Sequence, residues 1–471
     1  MNNENKKSNY GDESPIAAFA TTPAGSALTL IRCSGKNSIQ LAASVFESAK
    51  SKSAMPLTEA AGNTIVYGWI VSAGEKIDEV LVSVFRAPKS YTGEDSLDIC
   101  CHGGGTAGKA VMDTLIKAGF RGALPGEFTF RSFMNGKIDL TKSESVMEIV
   151  CAKTDKSRRH AVSRLCGSLE KEINEIKNLL VQVLAAVEIF LDYSEDEISS
   201  DADEKEGRLP KKQMAQDVLF RLKNLSNSWQ MERIYQEGIT LVIAGPVNAG
   251  KSSLFNSLLK EDRSIVTEIP GTTRDWIEAF VSIEGIPVRL IDTAGLREDA
   301  DSVEKIGIER SRKLLNEADL VLYLLNEDVN KNNSIKHEYL SKYIYIWNKC
   351  DIIPLPIPFP MKNINPIKVS ARTGEGITEL YDAITSAILE QAAKFSNEIS
   401  SVSLGTARQK KLVDAACFAL EEAFALEDNE EPLDLIAPLL RDAVNSLGEI
   451  TGEVSTADIL EEMFSNFCVG K

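Results

Sequence analysis

The pattern of apolar and polar positions changes twice along the 471 residues of the chain. From Ile16 to about Lys137, short apolar runs of β type are separated by Gly, Pro and Ser; they are SALTLIRC, NTIVYGWIV, EVLVSVF and SLDICCH. Runs of this length and composition are typical of strands, and their spacing predicts a compact α+β domain. We place this N-terminal domain at residues 1–136.

After this domain the apolar spacing becomes helical. Apolar residues recur every three or four positions from Leu169 to Phe190, which places them on one face of a long helix. Beyond residue 395 the sequence again becomes rich in Glu, Ala and Leu. We predict one discontinuous helical domain made of residues 137–235 and 395–471. Two separate helical domains would give the same composition.

Between the helical pieces, strand-like and helix-like runs alternate from Ile239 to about Leu389. The strand-like runs are ITLVIA, PVRLID, LVLYLL, YIYIWN and INPIKVS. Such alternation is typical of a parallel sheet covered by helices on both faces. We therefore predict a doubly wound α/β domain at residues 236–394, inserted into the helical domain. The fold class is a multidomain chain, α/β plus α.

Length, charge and cysteine usage narrow the class of protein. A chain of 471 residues is long for one core, so we expect two to four domains. No apolar run approaches the ~20 residues of a membrane helix, and the N-terminus lacks an apolar signal core, so we expect a cytoplasmic protein without a membrane partner. Eight cysteines without Cys-x-x-Cys spacing, and three histidines, disfavour a zinc site or a disulfide framework. The net charge of −17 disfavours a broad nucleic-acid-binding face, so any RNA contact should be local or shared with a partner.

A phosphate-binding loop is predicted at residues 245–252, GPVNAGKS, between the strand ITLVIA and the helix SSLFNSLL. Its glycines let successive N–H groups and the helix N-terminus face a polyphosphate, and Lys251 supplies positive charge to the outer phosphates. The Ser252 hydroxyl can then bind Mg²⁺. Glycine-rich turns of this kind also occur without a ligand.

Three further motifs follow predicted strands: DTAG at 292–295, NKCD at 348–351 and SAR at 370–372. Open α/β sheets bind ligands at the carboxyl ends of their strands. The Asp351 carboxylate can accept from both the ring N–H and the exocyclic amine of guanine, whereas adenine presents neither donor in that arrangement. We therefore predict GTP rather than ATP. The predicted GTP-binding residues are Asn248, Ala249, Gly250, Lys251, Ser252, Ser253, Thr267, Glu268, Ile269, Pro270, Gly271, Thr272, Thr273, Asp292, Thr293, Ala294, Gly295, Asn348, Lys349, Asp351, Ser370, Ala371 and Arg372.

The polar segment TEIPGTTRD (267–275), between the first two motifs, has neither helical nor strand periodicity. We expect Thr273 to complete the Mg²⁺ shell and to be ordered only while the terminal phosphate is present. A simple Gly-Thr turn before a strand is the alternative. Leu296 follows DTAG where Ras-like enzymes carry a glutamine, so another group must orient the attacking water.

Further motifs lie outside the nucleotide segment or follow it: YTGED (91–95), HGG (102–104), PGEFT (125–129), NGKIDLTKSES (135–145), VEKIGIERS (303–311), EITGEVSTADIL (449–460) and the terminal FCVGK. Together with the nucleotide motifs they give the chain a resemblance to the MnmE (TrmE) family of tRNA-modification GTPases. The resemblance runs nearly end to end, and the terminal Cys-x-Gly-Lys together with the N-terminal motifs is its most specific part.

The resemblance implies a catalytic apparatus at the nucleotide. Glu304 would orient the attacking water in place of the missing glutamine. From the sequence alone, Glu304 could equally be a carboxylate at a helix start, favoured by the helix dipole. The family also implies a K⁺ ion beside the phosphates that does the work of an arginine finger. Its ligands would be Asn248, Thr267, Ile269 and Thr272.

The resemblance further implies that the N-terminal domain has a tetrahydrofolate-binding-like fold. It would hold 5-formyl- or methylene-tetrahydrofolate as a one-carbon donor and would form a constitutive homodimer. The two GTPase domains of the dimer would close on each other when GTP and K⁺ are bound. The folate positions correspond to Arg32, Asp98, Lys137 and Lys471, with Asp98 standing where the family usually has Glu.

Cys468 is singled out among the cysteines because it lies in the family's terminal motif, near the expected folate site. Two roles are open for it: chemistry near the folate, or a buried apolar position near a helix end. We expect the other seven cysteines to be small core residues. The predicted catalytic residues are Glu304, Lys251, Thr273 and Cys468.

The function implied by the resemblance is tRNA modification. With an FAD-dependent MnmG-type partner in a heterotetramer, the protein would add a (carboxymethyl)aminomethyl group to C5 of wobble uridine 34 of certain tRNAs. Two alternatives come from other classes. One is a ribosome-assembly GTPase of the Era-like type, although this acidic chain shows no basic RNA-binding module. The other is a structural dimerisation switch with no chemistry of its own.

Overall fold

The computed structural model describes residues 10–22, 25–49, 56–192, 209–246, 248–261, 277–292, 314–325, 342–354, 365–393 and 402–470. The chain divides into two compact units. One joins Met1–Met147 to Val444–Lys471, and the other is Glu148–Ala443. Within the described ranges, no helix is long and apolar enough to cross a membrane.

The first unit contains a seven-stranded sheet in the order β3-β4-β5-β6-β2-β1-β7. Neighbouring strands are antiparallel except β1 and β7, which are parallel. The four apolar runs predicted as strands correspond to β2, β4, β5 and β6, which confirms those predictions. The strands are Ile16–Phe19 (β1), Leu28–Ser34 (β2), Phe46–Ser48 (β3), Thr64–Ser72 (β4), Glu75–Phe85 (β5), Ser96–His102 (β6) and Arg121–Gly122 (β7).

One face of this sheet is buried by two helices, Ser38–Ser44 (α1) and Thr106–Ala118 (α2). Ile31, Val82 and Ile99 form part of the core on that face. Because side chains alternate along a strand, Arg32 and Asp98 lie on the opposite face. The alternation of side chains along β2 and β6 therefore places core residues on one face of the sheet and the predicted folate residues on the other.

The terminal part of the chain packs within the first unit. Helices Glu127–Met134 (α3) and Leu140–Cys151 (α4) follow the sheet, and Ala457–Ser465 (α12) is the last helix. Leu140, Phe464 and Phe467 belong to one buried cluster, which joins the C-terminal helix to α4. The segment that precedes the Cys-x-Gly-Lys motif is therefore attached to the N-terminal half of the chain.

The second unit begins with Asp155–Leu165 (α5), Ser168–Asp192 (α6) and Lys212–Glu237 (α7). The helical stripe predicted from Leu169 is confirmed in α6, although Phe190 at its end is only half-buried. Ala407–Asp428 (α10) packs on α7, where the Ser226 hydroxyl donates to Asp414 Oδ1 at 2.7 Å. Helices from either side of the inserted segment thus contact each other, and Leu433–Thr451 (α11) follows them.

A buried arginine joins several parts of the second unit. Arg164 Nη2 donates to Glu148 Oε2 at 2.5 Å and to Glu232 Oε1 at 2.7 Å. Its Nη1 donates to Ser403 Oγ at 2.9 Å, and His160 Nδ1 lies 2.7 Å from Glu232 Oε2. Glu232 lies near the end of α7 and Ser403 precedes α10, so one cluster holds both helical segments that flank the sheet.

The sheet of the second unit has six strands in the order β13-β12-β11-β8-β10-β9. All five strands predicted in this segment are present. Helices Lys251–Glu261 (α8) and Ile377–Ala393 (α9) flank it, and their apolar residues join its core. The strands are Ile239–Ala244 (β8), Ile277–Ile283 (β9), Ile286–Asp292 (β10), Leu320–Leu325 (β11), Tyr343–Asn348 (β12) and Ile367–Val369 (β13).

The prediction of a purely parallel sheet is wrong at one edge, because β9 pairs antiparallel with β10. The two strands are joined only by Glu284 and Gly285, with φ of 52° and 80°. Two residues with positive φ form a tight hairpin turn, and such a short connection can join only antiparallel strands. The Glu-Gly pair between two apolar runs was the available sequence signal.

Candidate nucleotide-binding site

The described residues of the four predicted nucleotide motifs, which for DTAG means Asp292, meet at one edge of the six-stranded sheet. Strands β8, β10, β11, β12 and β13 are parallel, so their carboxyl ends lie along the same edge. The phosphate loop follows β8, Asp292 ends β10, and the NKCD and SAR motifs follow β12 and β13. This is the edge at which open α/β sheets bind ligands.

Two glycines give the phosphate loop its shape. Gly245 has φ of 142°, and a Cβ there would lie 2.6 Å from Leu324 O. Gly250 has φ of 92°, and a Cβ there would lie 2.3 Å from Asn348 Nδ2. The backbone can therefore pass close to its neighbours only without side chains. Helix α8 begins at Lys251, so its free N–H groups are directed toward the loop.

Lys251 lies along the inside of this loop. Its Nζ donates to Gly245 O and to Pro246 O, each at 3.0 Å. Burial lowers the pKa of Lys251, and the carboxylate of Asp292 acts in the opposite direction. An ammonium held in this position by carbonyl oxygens can donate in the same way to the more strongly accepting oxygens of a phosphate.

Ser252 and Asp292 form the part of the edge that suits a divalent cation. The Ser252 hydroxyl donates to Asp292 Oδ2 at 2.8 Å, and Asp292 has no exposed surface. A hydroxyl and a carboxylate are hard oxygen ligands of the type that Mg²⁺ prefers. The residues present therefore fit the predicted magnesium site.

Asn348 joins the phosphate loop to the two base-recognition motifs. Its Nδ2 donates to Ala249 O at 3.0 Å, and its Oδ1 accepts from Ala371 N at 3.2 Å. Lys349, which has φ of 62°, extends its Nζ to Asn248 O at 2.9 Å. The predicted motifs are thus connected by hydrogen bonds as well as being neighbours.

A cavity of ≈ 630 Å³ lies beside these residues. Asp351 lines it with a side chain that is 13% exposed, and Arg372 lies 3.6 Å from the Asp351 carboxylate. The cavity contains the predicted Ser253, Ser370 and Ala371 as well. Five further lining residues were not predicted: Asn256, Ser257, Ile352, Thr373 and Gly374. Helical spacing from Ser253 and proximity to SAR were the sequence signals that could have indicated them.

Several predicted site residues lie outside the described part of the chain, and their roles stay predictions. They comprise the predicted switch segment, three residues of DTAG, the proposed water-orienting glutamate and the terminal lysine. These residues are Thr267, Glu268, Ile269, Pro270, Gly271, Thr272, Thr273, Thr293, Ala294, Gly295, Glu304 and Lys471.

The predicted folate residues Arg32 and Asp98 are paired. They are directly opposite each other on β2 and β6, and Arg32 donates to Asp98 at 3.0 and 3.4 Å. Arg32 Cζ also lies 5.5 Å from the centroid of the Tyr91 ring. Lys137 Nζ donates to Pro88 O at 2.9 Å, in the same loop as Tyr91. Arg32 and Lys137 therefore both contact the loop that carries Pro88 and Tyr91, and Asp98 is joined to it through Arg32.

Cys468 is exposed, so the buried apolar alternative for this residue is wrong. Its carbonyl oxygen accepts from Gly126 N at 3.2 Å, which attaches it to the PGEFT segment. The prediction that the other cysteines are core residues is wrong for Cys151 and Cys166, which are exposed because they lie at the ends of α4 and α5.

Comparisons with known proteins cover almost the whole chain. A family model described as GTP-binding protein TrmE N-terminus matches residues 15–137, and one described as MnmE helical domain matches residues 140–468. The tRNA modification GTPase MnmE of Treponema denticola is 42% identical and covers 99% of both chains. That of Borreliella afzelii is 40% identical over 97% of this chain and 98% of its own.

Among solved structures, the G domain of the Thermotoga maritima FeoB iron transporter is 25% identical. It covers 33% of this chain and 98% of its own, with a TM-score of 0.24. The two family models and the nearly full-length relatives decide the assignment. The chain belongs to the MnmE (TrmE) family of tRNA modification GTPases.

Proposed function

We propose that this GTPase acts with an FAD-dependent MnmG-type partner, in a cytoplasmic heterotetramer, on wobble uridine 34 of certain tRNAs. The product would carry a (carboxymethyl)aminomethyl group at C5, with one carbon supplied by 5-formyl- or methylene-tetrahydrofolate. The proposal rests mainly on one observation: a single chain joins the assembled nucleotide edge to an N-terminal segment that matches the TrmE model. In this proposal GTP binding and hydrolysis drive domain movements that gate the tRNA chemistry.

In the proposed site Mg²⁺ is held by Ser252 and Thr273, with Asp292 acting through water. The hydrogen bond between Ser252 and the buried Asp292 supports this assignment. Bound there, the ion would neutralise charge on the phosphates. Lys251 would bind the outer phosphates and Asp351 the guanine ring.

K⁺ would lie beside the phosphates, with Asn248, Thr267, Ile269 and Thr272 as its proposed ligands. Asn248 is placed in the phosphate loop with φ of 63°, where its backbone already contacts Lys349. GTP turnover should rise steeply when NaCl is replaced by KCl at equal ionic strength. Equal rates in the two salts would count against a cation at Asn248.

Glu304 is the proposed water-orienting residue. A Glu304→Ala variant should bind GTP with unchanged affinity and should lose hydrolysis, because only the positioning of water is removed. Turnover at the wild-type rate would remove Glu304 from the mechanism and would leave the helix-start role as its explanation.

The folate would be held by Arg32, Asp98, Lys137 and Lys471, with Cys468 as a catalytic candidate nearby. The paired Arg32 and Asp98 supply donors and acceptors that fit a pterin ring and a glutamate carboxylate. When bound, the folate would supply the one-carbon unit. Equilibrium binding of 5-formyltetrahydrofolate to Arg32→Met and wild-type protein tests this site, and equal affinity would contradict it.

The homodimer would form through the N-terminal domain. Ile65, Tyr67 and Leu81 are 67%, 48% and 47% exposed, and Tyr67 lies directly opposite Leu81 on adjacent strands. Exposed apolar side chains that share one sheet face are typical of an interaction surface. A Tyr67→Asp variant should therefore show the mass of a monomer in light scattering, whereas a persistent dimer would exclude this face.

Mass spectrometry of wobble uridines from cells that lack the protein tests the tRNA function. Loss of the aminomethyl-type modification is expected. Unchanged modification together with a ribosome-assembly defect would favour the Era-like alternative. Unchanged modification without such a defect would favour a structural switch.

A further inference from the structure

The turn of the β9–β10 hairpin contacts helix α5 at the end of the sheet opposite the nucleotide edge. The Thr154 hydroxyl donates to Gly285 O at 2.9 Å. The Thr154 hydroxyl oxygen also accepts from Ser157 N at 3.2 Å and so caps α5. A Cβ at Gly285 would lie 3.0 Å from Lys156 Cβ, so the turn and the helix are in close contact.

Further contacts hold the hairpin against the helices of the second unit. Lys153 Nζ lies 5.1 Å from the centroid of the Phe280 ring on β9 and donates to Glu237 O at 3.1 Å. A Cβ at Gly238, directly after α7, would lie 2.2 Å from Pro287 O on β10. Both strands of the hairpin are therefore packed against the helices at this end.

Strand β10 connects that contact to the magnesium edge. It has seven residues, Ile286–Asp292, and so spans about 20 Å at the usual rise of a strand. It pairs with β8 on one side and β9 on the other, and Val288 and Leu290 have no exposed surface. A strand paired on both sides and packed in this way resists compression, so a displacement at Asp292 would be carried to Gly285.

We propose that the hydrogen bond from Thr154 to Gly285 couples the nucleotide state sensed at Asp292 to helix α5. The inference rests on the proposed magnesium role of Asp292 and does not depend on the tRNA chemistry. Coupling between two sites is reciprocal, so the contact must also change the ratio of GTP to GDP affinities. The net contribution of one such hydrogen bond corresponds to about a three- to tenfold change in that ratio.

Two substitutions separate the coupling contact from the helix cap. Thr154→Ser keeps both the donor and the acceptor. Thr154→Asp keeps an acceptor that caps α5 but has no proton to donate to Gly285 O. Ser163→Asp places the same charge at an exposed position of α5 as a control. Hydrogen exchange of the α5 amides is measured in full-length protein with Mg²⁺ and either GDP or a non-hydrolysable GTP analogue.

The α5 amides should exchange at different rates in the two nucleotide states in wild-type, Thr154→Ser and Ser163→Asp proteins. In Thr154→Asp that difference should shrink, and the ratio of GTP to GDP affinities should change about three- to tenfold. The proposal is overturned if wild-type α5 exchanges equally in both states, a comparison that needs no variant to fold. Identical behaviour of Thr154→Asp and Thr154→Ser also overturns it. Wobble-uridine modification, measured separately, reports on the proposed function.

Discussion

Ser252 and Asp292 are joined by a hydrogen bond of 2.8 Å between the first turn of α8 and the last residue of β10. The two residues are 40 positions apart in sequence. Their contact fixes the distance between the phosphate loop and Asp292. A change at either residue should therefore affect binding of the proposed Mg²⁺ as well as of the nucleotide.

Ser252→Ala should weaken Mg²⁺ binding more than nucleotide binding itself. The variant removes one proposed ligand and the partner of Asp292, so the Mg²⁺ concentration needed for half-maximal GTP binding should rise about 10- to 100-fold. Titration of Mg²⁺ against a fluorescent GTP analogue measures this. Ser282→Ala, on β9 of the same sheet, is the control and should behave as wild type. An unchanged Mg²⁺ requirement in Ser252→Ala would contradict the proposal that Ser252 is a ligand of Mg²⁺.

Asp351→Asn should change which base is bound. In the proposed role the carboxylate would accept two hydrogen bonds from guanine, whereas an amide can donate to the carbonyl that xanthine carries in place of the amine. We expect GTP affinity to fall about 10- to 100-fold and XTP affinity to rise. Competition binding of GTP and XTP measures this change in base preference.

Asp351→Ala is the matched comparison for this change. It removes the acceptor without supplying a donor, so it should lose GTP affinity and gain none for XTP. If Asp351→Asn also gained no XTP affinity, Asp351 would not be the residue that reads the base.

Glu232→Gln should alter the stability of the second unit between pH 4.5 and 2. Burial raises the pKa of Glu232, but the hydrogen bond from His160 and the charge of Arg164 outweigh it and lower the pKa from 4.5 to about 2. Because the folded pKa is depressed, this stabilisation is present above pH 4.5 and is lost as the pH falls through about 2. Its size is about 3 kcal/mol of unfolding free energy.

Urea denaturation followed by circular dichroism at a series of pH values measures this effect. The free energy of unfolding of the wild-type protein should fall between pH 4.5 and 2. That of Glu232→Gln should depend less on pH and should be lower at neutral pH. Glu237→Gln, an exposed position on the same helix, serves as the control. Parallel acid sensitivity in the Glu232→Gln and wild-type proteins would refute the assignment.

Gly126→Ala should loosen the attachment of the C-terminal motif. Gly126 has φ of 64°, and a Cβ there would lie 2.7 Å from Phe467 Cβ. We expect about 1–3 kcal/mol of destabilisation and faster hydrogen exchange over residues 464–470. Gly122→Ala is the control, since nothing lies within 4 Å of its Cβ position. Unchanged hydrogen exchange over residues 464–470 would show that the terminal segment tolerates a Cβ at position 126.

The spacing of apolar residues predicted helices and strands well where one face of the element is buried. The α6 stripe and strand β6 are examples, because their apolar spacing directly reports which side faces the core. The nucleotide motifs were also predictable, since the chemistry of phosphate binding restricts residue type and spacing together.

The remaining features depend on contacts between residues distant in sequence. Strand β9 was not among the predicted strands, although the Glu-Gly pair between its apolar run and that of β10 is a local signal of an antiparallel hairpin. Helical spacing from Ser253 and proximity to SAR make Asn256 and Thr373 candidates, but their place in the cavity lining depends on how α8 and the SAR loop meet. The network around Arg164 joins residues as far apart as 239 positions, and no local pattern marks it.

The position of Tyr235 determines how the GTPase segment could be isolated. Tyr235 belongs to α7, yet it is buried in the apolar core of the six-stranded sheet, with Met231 and Ile234 packed against the same core. A fragment cut at residue 236 would leave a hole where that aromatic ring packs. An excised catalytic segment should therefore start before Met231 and carry the last two turns of the preceding helix with it.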